Sequence, residues 1–313
     1  VPENDSHGEF LYLVAETVRY TGDRGLAERM WPRVVAAVSY IDALRQKRRT
    51  AEYETPGKRV FYGLLPESIS HEGYSAKPMH SYWDDAFAIR GLKDAVFLAT
   101  YLGKEGQAKE FARIRDELTA DVHASIRLVM ERHGIDTLPG CAELGDFDAT
   151  STTATIAPGG ELARLPREAV ERTFDRYLAN VAKREAGEGE LYTPYELRTV
   201  GTFVRLDRRD DAFRLLGLFL RDLRPPEWNA WAEVVWRDPR TPKFVGDIPH
   251  TWVGTDYARS FLDLFAYERE DDAALVMERL DFAELGGAPG HRPSARIGVG
   301  YVEPVDRDAR LRP

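Results

Sequence analysis

The side chains able to do chemistry in this sequence fall into five short loops. They are Pro2 to His7, Pro66 to Tyr74, Gly145 to Asp148, Tyr192 to Glu196, and Glu227 to Glu233. Each loop combines carboxylates with aromatic or imidazole groups and stands just before an apolar helical stretch. If those stretches form an inner ring, every loop opens on one face, and distant carboxylates and aromatics gather in one pocket. Other signatures are missing: there is no Gly-rich phosphate cradle, no His-x-x-x-His pair and no Gly-x-Ser-x-Gly elbow. The single cysteine, Cys141, excludes an internal disulfide and a cysteine metal cluster, and reads as a small packed residue. No metal or cofactor is expected.

The elements that must position these loops show helical periodicity. Phe10, Leu13, Val14, Thr17 and Val18 mark a first helix that Gly22 stops, and Asp23 caps the next. A helix from about Ser81 to Leu102 carries Phe87, Leu92, Val96 and Leu98, with Gly103 ending it. A charged amphipathic helix follows from about Glu105 to His133. The alternation continues through a short Thr-rich helix near Asp148 to Ile156, then 166–184, 194–206, 210–223 and 251–267. The spacing predicts inner helices starting near His7, Ser81, Asp148, Pro194 and Thr251, with four outer helices between them. Unequal segment lengths argue against a fixed-period solenoid and for a closed toroid of helix pairs. After Tyr267 the character changes. Residues 271–313 are rich in Gly and Pro, and Ala295 to Val305 alternates as a strand does. The expected organisation is therefore all-α over 1–270 with a short β-rich appendage over 271–313.

The composition suits one large folded domain with an appendage: 43% of the 313 residues are hydrophobic. With 43 Lys and Arg against 52 Asp and Glu, the formal charge is −9 and no basic block stands out, which argues against nucleic acid as partner. No apolar run approaches the roughly 20 residues of a membrane span.

The run Asn4-Asp5-Ser6-His7-Gly8-Glu9-Phe10-Leu11-Tyr12, ending in Tyr20-Thr21-Gly22-Asp23, resembles a helix pair of the six-hairpin glycosidases. Ser81-Tyr82-Trp83-Asp84-Asp85-Ala86-Phe87 is similar to the start of one of their inner helices. The resemblance covers roughly 1–267. It implies an (α/α)6 barrel with the active site at the N-terminal ends of the inner helices. It also implies an oligo- or polysaccharide substrate, and it favours a secreted or periplasmic setting. A full barrel has six inner helices and this sequence shows five, so the expectation is that a first pair precedes Val1 or that the wall has a gap.

The inverting members of that superfamily take a carboxylic acid from the loop before the third inner helix and a carboxylate from the loop before the sixth. Carried onto this sequence, the resemblance makes Glu72 the general acid and Glu233 the general base. Inversion places two such carboxyls roughly 6.5–9.5 Å apart. The plainer readings are a solvated Glu72 or a pair with Lys77, and an ion pair of Glu233 with Arg237. Glu67, Asp84, Asp85 and Glu227 are the alternatives. One of Asp84 and Asp85 is expected to cap its helix or to accept a sugar hydroxyl, and of Asp146 and Asp148 one is expected to cap and the other to bind sugar. Sugar rings stack on aromatics and take hydrogen bonds from carboxylates and His. The expected substrate-binding residues are accordingly Asp5, His7, Tyr74, His80, Trp83, Asp84, Asp148, Tyr195, Glu196, Trp228, Trp231, His250 and Trp252. With 14 Tyr and 6 Trp in a helical chain, several of these aromatics must belong to the core. Rival functions on the same barrel are a glycan phosphorylase, a polysaccharide lyase and a non-catalytic carbohydrate-binding module.

Overall fold

The computed structural model of the protein describes residues 3–70, 73–188, 193–221, 226–234, 247–270, 274–277 and 302–304. The described residues form a mostly helical chain. The helices are α1 (Ser6–Thr21), α2 (Arg24–Gln46), α3 (Tyr82–Tyr101), α4 (Glu105–His133), α5 (Ala149–Ile156), α6 (Arg167–Glu185), α7 (Arg198–Arg205), α8 (Arg209–Arg221) and α9 (Thr251–Asp263). The chain divides into two compact units, Val1–Ala182 and Lys183–Pro313. The division falls in the last turn of α6.

In the first unit α1 packs on α3 and α3 on α5, while α2 packs on α1 and α4 on α3. Odd-numbered helices therefore lie side by side, and each of α1 and α3 also pairs with the helix that follows it. Burial follows this order. α3 is enclosed on nearly every side, from Tyr82 through Ala95. Of the eight residues of α5 only Thr150 is not buried, and two of its threonines bond back along the chain, Thr152 Oγ1 donating to Asp148 O and Thr153 Oγ1 to Thr150 O. α4 by contrast buries one stripe, Phe111, Ile114, Leu118, Val122, Ile126 and Val129, and leaves charged residues outside.

Helix ends follow local chemistry. Asp23 accepts from Leu26 N and starts α2; Gly22, with φ +67°, ends α1. The cap of α3 is Ser81, whose hydroxyl accepts from Trp83 N. The expectation that Asp84 or Asp85 caps this helix is thereby corrected: both sit inside its first turn, past the point from which a side chain can reach the N2 or N3 amide. Asp148 does cap α5, accepting from Ser151 N at 2.9 Å.

α1 and α3 approach so closely that their backbones touch. A Cβ on Gly8 would lie 2.1 Å from Phe87 O, and one on Gly91 would lie 2.7 Å from Gly8 Cα. Beside this contact Asp94, fully buried, accepts from Arg90 Nε at 2.8 Å and from Arg19 Nη2 at 2.5 Å. A second buried hub is Glu161, which binds Lys93 at 2.8 Å, His123 Nε2 at 2.9 Å and Arg164 at 3.0 Å.

In the second unit α7 packs on α8 and α9. Arg205 and Asp263 form a two-point ion pair between α7 and α9, its longer contact 3.0 Å. α9 ends at Asp263, earlier than the sequence periodicity indicates, and Ala266–Arg269 already forms strand β1. β1 pairs antiparallel with β2 (Ala274–Met277), which pairs with β3 (Val302–Pro304). Tyr267 thus belongs to the sheet, opposite Val276. Among the described residues no helix is long and apolar enough to cross a membrane.

Gly8→Ala should destabilise by about 1–3 kcal/mol, because the clash is with backbone. Gly106→Ala, with open space around its Cβ, should be neutral or stabilising by up to about 1 kcal/mol. Burial opposes ionisation of Glu161, but the His123 hydrogen bond and the Lys93 charge outweigh it and hold the carboxyl down at about 2. Its folded value lies below the unfolded one, so the stability it contributes is present above about pH 4.5 and lost as pH falls towards 2. Glu161→Gln should cost about 3–5 kcal/mol at pH 7. Denaturant titrations of both proteins at pH 7 and pH 3 check this; the gap should narrow at the lower pH.

Candidate functional site

In the first unit the N-terminal ends of α1, α3 and α5 adjoin. Trp83 Nε1 donates to Asp5 Oδ2 at 2.9 Å, which joins α3 to the start of α1. Tyr82 N donates to Gly140 O at 3.1 Å, and Ser81 bridges to Cys141, which joins α3 to the loop that leads into α5. The segment Leu65–Ser70 is held across these ends. Asn4 Nδ2 donates to Pro66 O at 2.8 Å, Leu65 N donates to Asp85 Oδ1 at 3.0 Å, and Ser68 Oγ donates to Asp84 Oδ2 at 2.5 Å. Ser70 is fully buried with φ +42°, a left-handed conformation that a residue with a side chain seldom adopts.

The electrostatics of this cluster are unusual. Asp5, Asp84 and Asp85 are 5%, 1% and 0% exposed, and none of them forms an ion pair among the described residues. Burial pushes the Asp84 carboxyl up to about 7; the Ser68 hydroxyl opposes this, and the Asp5 charge adds to it. Burial raises Asp85 well above the ordinary carboxylate range, against the Leu65 amide and with the charges of Asp84 and Asp121. A carboxyl that keeps its proton near neutrality, in a site with few neutralising charges, is what acid catalysis requires.

Around this cluster the expected site residues take different places. His80 is buried and stacked on Phe61. Its Nε2 accepts from Arg48 Nε at 3.0 Å, so its Nδ1–H donates to Glu143 Oε1 at 2.7 Å, the neutral tautomer. It braces the start of α3. Glu67 pairs with Arg48. Tyr74 is half-buried and donates to Asp146 Oδ2 at 3.1 Å, while Asp146 Oδ1 accepts from Cys141 N. Burial raises the Tyr74 hydroxyl, and the neighbouring Cys141 and Asp146 add to this. Burial likewise lifts the Cys141 thiol to about 12, so this cysteine is an unreactive packed group. His7 stacks on Tyr40 with ring centroids 4.3 Å apart, and burial lowers its pKa. Trp83 is 2% exposed, its ring enclosed by the core and its N–H on Asp5. Glu72 lies outside the described residues, as does Tyr192.

The second unit builds a smaller cluster at the starts of α7 and α9. Tyr195 OH and His250 Nε2 are 3.1 Å apart, and Tyr195 meets Trp252 edge-on with centroids 5.6 Å apart. Arg198 binds Asp256 at 2.7 Å. Glu196 is held by Arg184 through two parallel bonds of 2.7 and 2.5 Å. Glu233 is half-buried; its amide donates to Asp247 O and its carbonyl accepts from Thr193 Oγ1 at 2.7 Å. Arg237, its expected partner, lies outside the described residues. Trp231 is buried with its N–H on Phe219 O, whereas Trp228 is 62% exposed. Trp231, Asn229, His250, Thr251 and Tyr257 line a cavity of about 300 Å³, at the small end of ordinary ligand pockets.

The sequence alone does not single out Ser68 and Ser70. The only available signal was their position two apart beside Glu67, which is too common to be specific. Among the described residues no group of three His, Cys, Asp or Glu side chains has the geometry to hold a metal ion.

No protein-family model matches the chain, and no curated protein or solved structure matches it significantly.

Asp85 supplies a direct check of these electrostatics. Its folded pKa lies above the unfolded one, so the fold loses stability as pH rises from about 4. Asp85→Asn keeps an acceptor for Leu65 N and has no proton to lose. Its melting temperature should match or exceed the parent's at pH 7, with the difference growing from pH 4 upward. Asp85→Leu, which strands the Leu65 amide, should melt lower than the parent throughout.

Proposed function

We propose that the protein is a glycoside hydrolase that acts on an oligo- or polysaccharide through a pair of carboxyl groups, in the manner of the six-hairpin glycosidases it resembles. The observation that carries this reading is local to each unit. The start of α1 places Asp5 on Trp83, the neighbour of Asp84 at the start of α3, and Tyr74 meets Asp146 in the loop that leads into α5. The starts of α7 and α9 bring together Tyr195, His250 and Trp252. Carboxyls and aromatics collected at the N-terminal ends of successive odd helices are the equipment for binding a sugar and protonating a glycosidic oxygen.

In this reading Glu72 is the general acid and Glu233 the general base of an inverting displacement. The acid protonates the leaving oxygen, and the base draws a proton from the water that attacks the anomeric carbon from the opposite face. The toroidal barrel is part of the same proposal. It rests on the alternation of the enclosed α3, α5 and α7 with the amphipathic α4, α6 and α8.

The test is a screen of the protein against a panel of oligosaccharides, with products identified by mass spectrometry and their anomeric configuration by NMR. Turnover with inversion is the expected outcome. Glu233→Gln and Glu72→Gln should each lower turnover about 10²–10⁴-fold while leaving the fold and glycan binding intact. Wild-type turnover in either variant removes that residue from its role. Binding without turnover of any member of the panel rejects the enzymatic reading.

A further inference from the structure

Neighbouring atoms account for the glycines at 8, 91 and 201 in α1, α3 and α7: a Cβ would lie 2.1 Å from Phe87 O, 2.7 Å from Gly8 Cα and 2.6 Å from Asp263 Oδ2 respectively. Gly254 is different. It stands inside α9 with its amide on His250 O at 3.2 Å, its φ is not left-handed, and a Cβ there would meet nothing from the rest of the chain within 4 Å. Glycine is a poorer helix former than alanine, and here neither packing nor backbone conformation calls for it. Gly106 shares the open space, but it lies on the exposed first turn of α4. Gly254 instead borders the cavity of about 300 Å³ in the second unit.

The walls of that cavity set what it can hold. Trp231 is buried, and its N–H on Phe219 O at 3.1 Å fixes the plane of its ring. Tyr257 packs against it, with ring centroids 4.7 Å apart and planes inclined by 42°. His250 is held by its own amide on Trp231 O at 3.0 Å and by Nε2 against Tyr195 OH. The lining also includes Asn229 and Thr251, whose side chains complete no hydrogen bond among the described residues. No described lining residue carries a carboxylate, ammonium or guanidinium group. Aromatic faces beside neutral donors and acceptors match a neutral ring that bears hydroxyls, whose C–H faces stack and whose hydroxyls take hydrogen bonds. Volume sets the number of rings. A cavity of about 150 Å³ holds one benzene. A hexose has twice the heavy atoms of benzene, so a cavity of about 300 Å³ suits one hexose and excludes a second.

We propose that this cavity is a binding site for a single uncharged sugar ring, and that Gly254 keeps one wall open so that the ring can lie against the α9 backbone. With no carboxyl among its described walls, the cavity holds a ring and does not protonate a glycosidic oxygen. That the ring is a sugar rests on the proposed function; that the cavity takes one neutral ring against Gly254 does not.

The test is ligand-detected NMR of the whole chain with glucose, galactose, mannose and xylose as probes, and with glucuronate and indole as controls. At least one of the neutral sugars should bind. Glucuronate should bind at least about tenfold more weakly, because its charge would be desolvated without a counter-ion. Gly254→Leu fills open space and improves the helix, so its melting temperature should match or exceed the parent's while sugar binding is lost. Asn229→Gly tolerates the left-handed φ of +49° and removes the amide. It and Thr251→Ala should each weaken binding by up to about tenfold. Binding of none of the neutral sugars, a preference for indole or glucuronate, or undiminished binding in Gly254→Leu overturns the proposal. Should Gly254→Leu fail to fold, unchanged affinity in both Asn229→Gly and Thr251→Ala overturns it. If the variants locate sugar binding at this cavity and no oligosaccharide is turned over, the hydrolase reading fails and the site stands. If turnover is seen and Gly254→Leu binds sugar as the parent does, the site fails and the hydrolase reading stands.

Discussion

The contact between Gly8 and Gly91 is the constraint on which the first unit depends. Any side chain at either position would drive α1 and α3 apart, since the nearest atoms are backbone and cannot swing away. At this separation the Trp83 indole of α3 reaches Asp5 at the start of α1. The same closeness places Arg19 against the buried Asp94. Backbone contact, a tryptophan hydrogen bond and the Arg19–Asp94 pair thus depend on two missing methyl groups. The arrangement concentrates polar groups where the helices start and leaves the apolar packing of Leu11, Val14, Val18, Ile89 and Leu92 to hold the middle.

The charged groups of this unit divide into two kinds. Asp94 and Glu161 are buried with cations on more than one side, and for Glu161 the result is a carboxyl held near 2. Asp84 and Asp85 are equally buried, with amides and hydroxyls but no cation among the described residues, and both are pushed upward. The first kind stabilises a fold at neutral pH; the second weakens it. A chain that can build the first arrangement twice within one unit has no structural need of the second. Groups that break the local rule without a structural gain are where function is expected.

The second unit repeats the theme with different chemistry. Arg184, Arg198 and Arg205 each bind one carboxylate, and these pairs hold the starts and flanks of α7 and α9. Glu196 is engaged in this way, and the small cavity is lined by Trp231, Tyr257 and His250 together with Asn229 and Thr251. Glu233 is tied through its backbone, with its side chain half-exposed.

Periodicity in the sequence carried the helical order. The five odd helices begin within four residues of His7, Ser81, Asp148, Pro194 and Thr251, because burial on one face leaves a repeat that any chain order reveals. Local rules also carried the ends set by Gly22, Asp23, Gly103 and Asp148. What only the tertiary structure decided is which polar residue meets which. Trp83 and Asp5 are 78 residues apart, and no spacing rule links them. Asp84 read as a cap or a sugar acceptor from its place at a helix start. Its protonation depends on burial, on Ser68 and on the Asp5 charge, none of which is a property of the local sequence. α9 ends earlier than the periodicity indicates because Tyr267 continues the apolar pattern of the helix but pairs with Val276 in the sheet, a contact the helical repeat does not mark. Local patterns determine where a helix starts, whereas electrostatics at its end is a sum over neighbours that only the folded chain brings together.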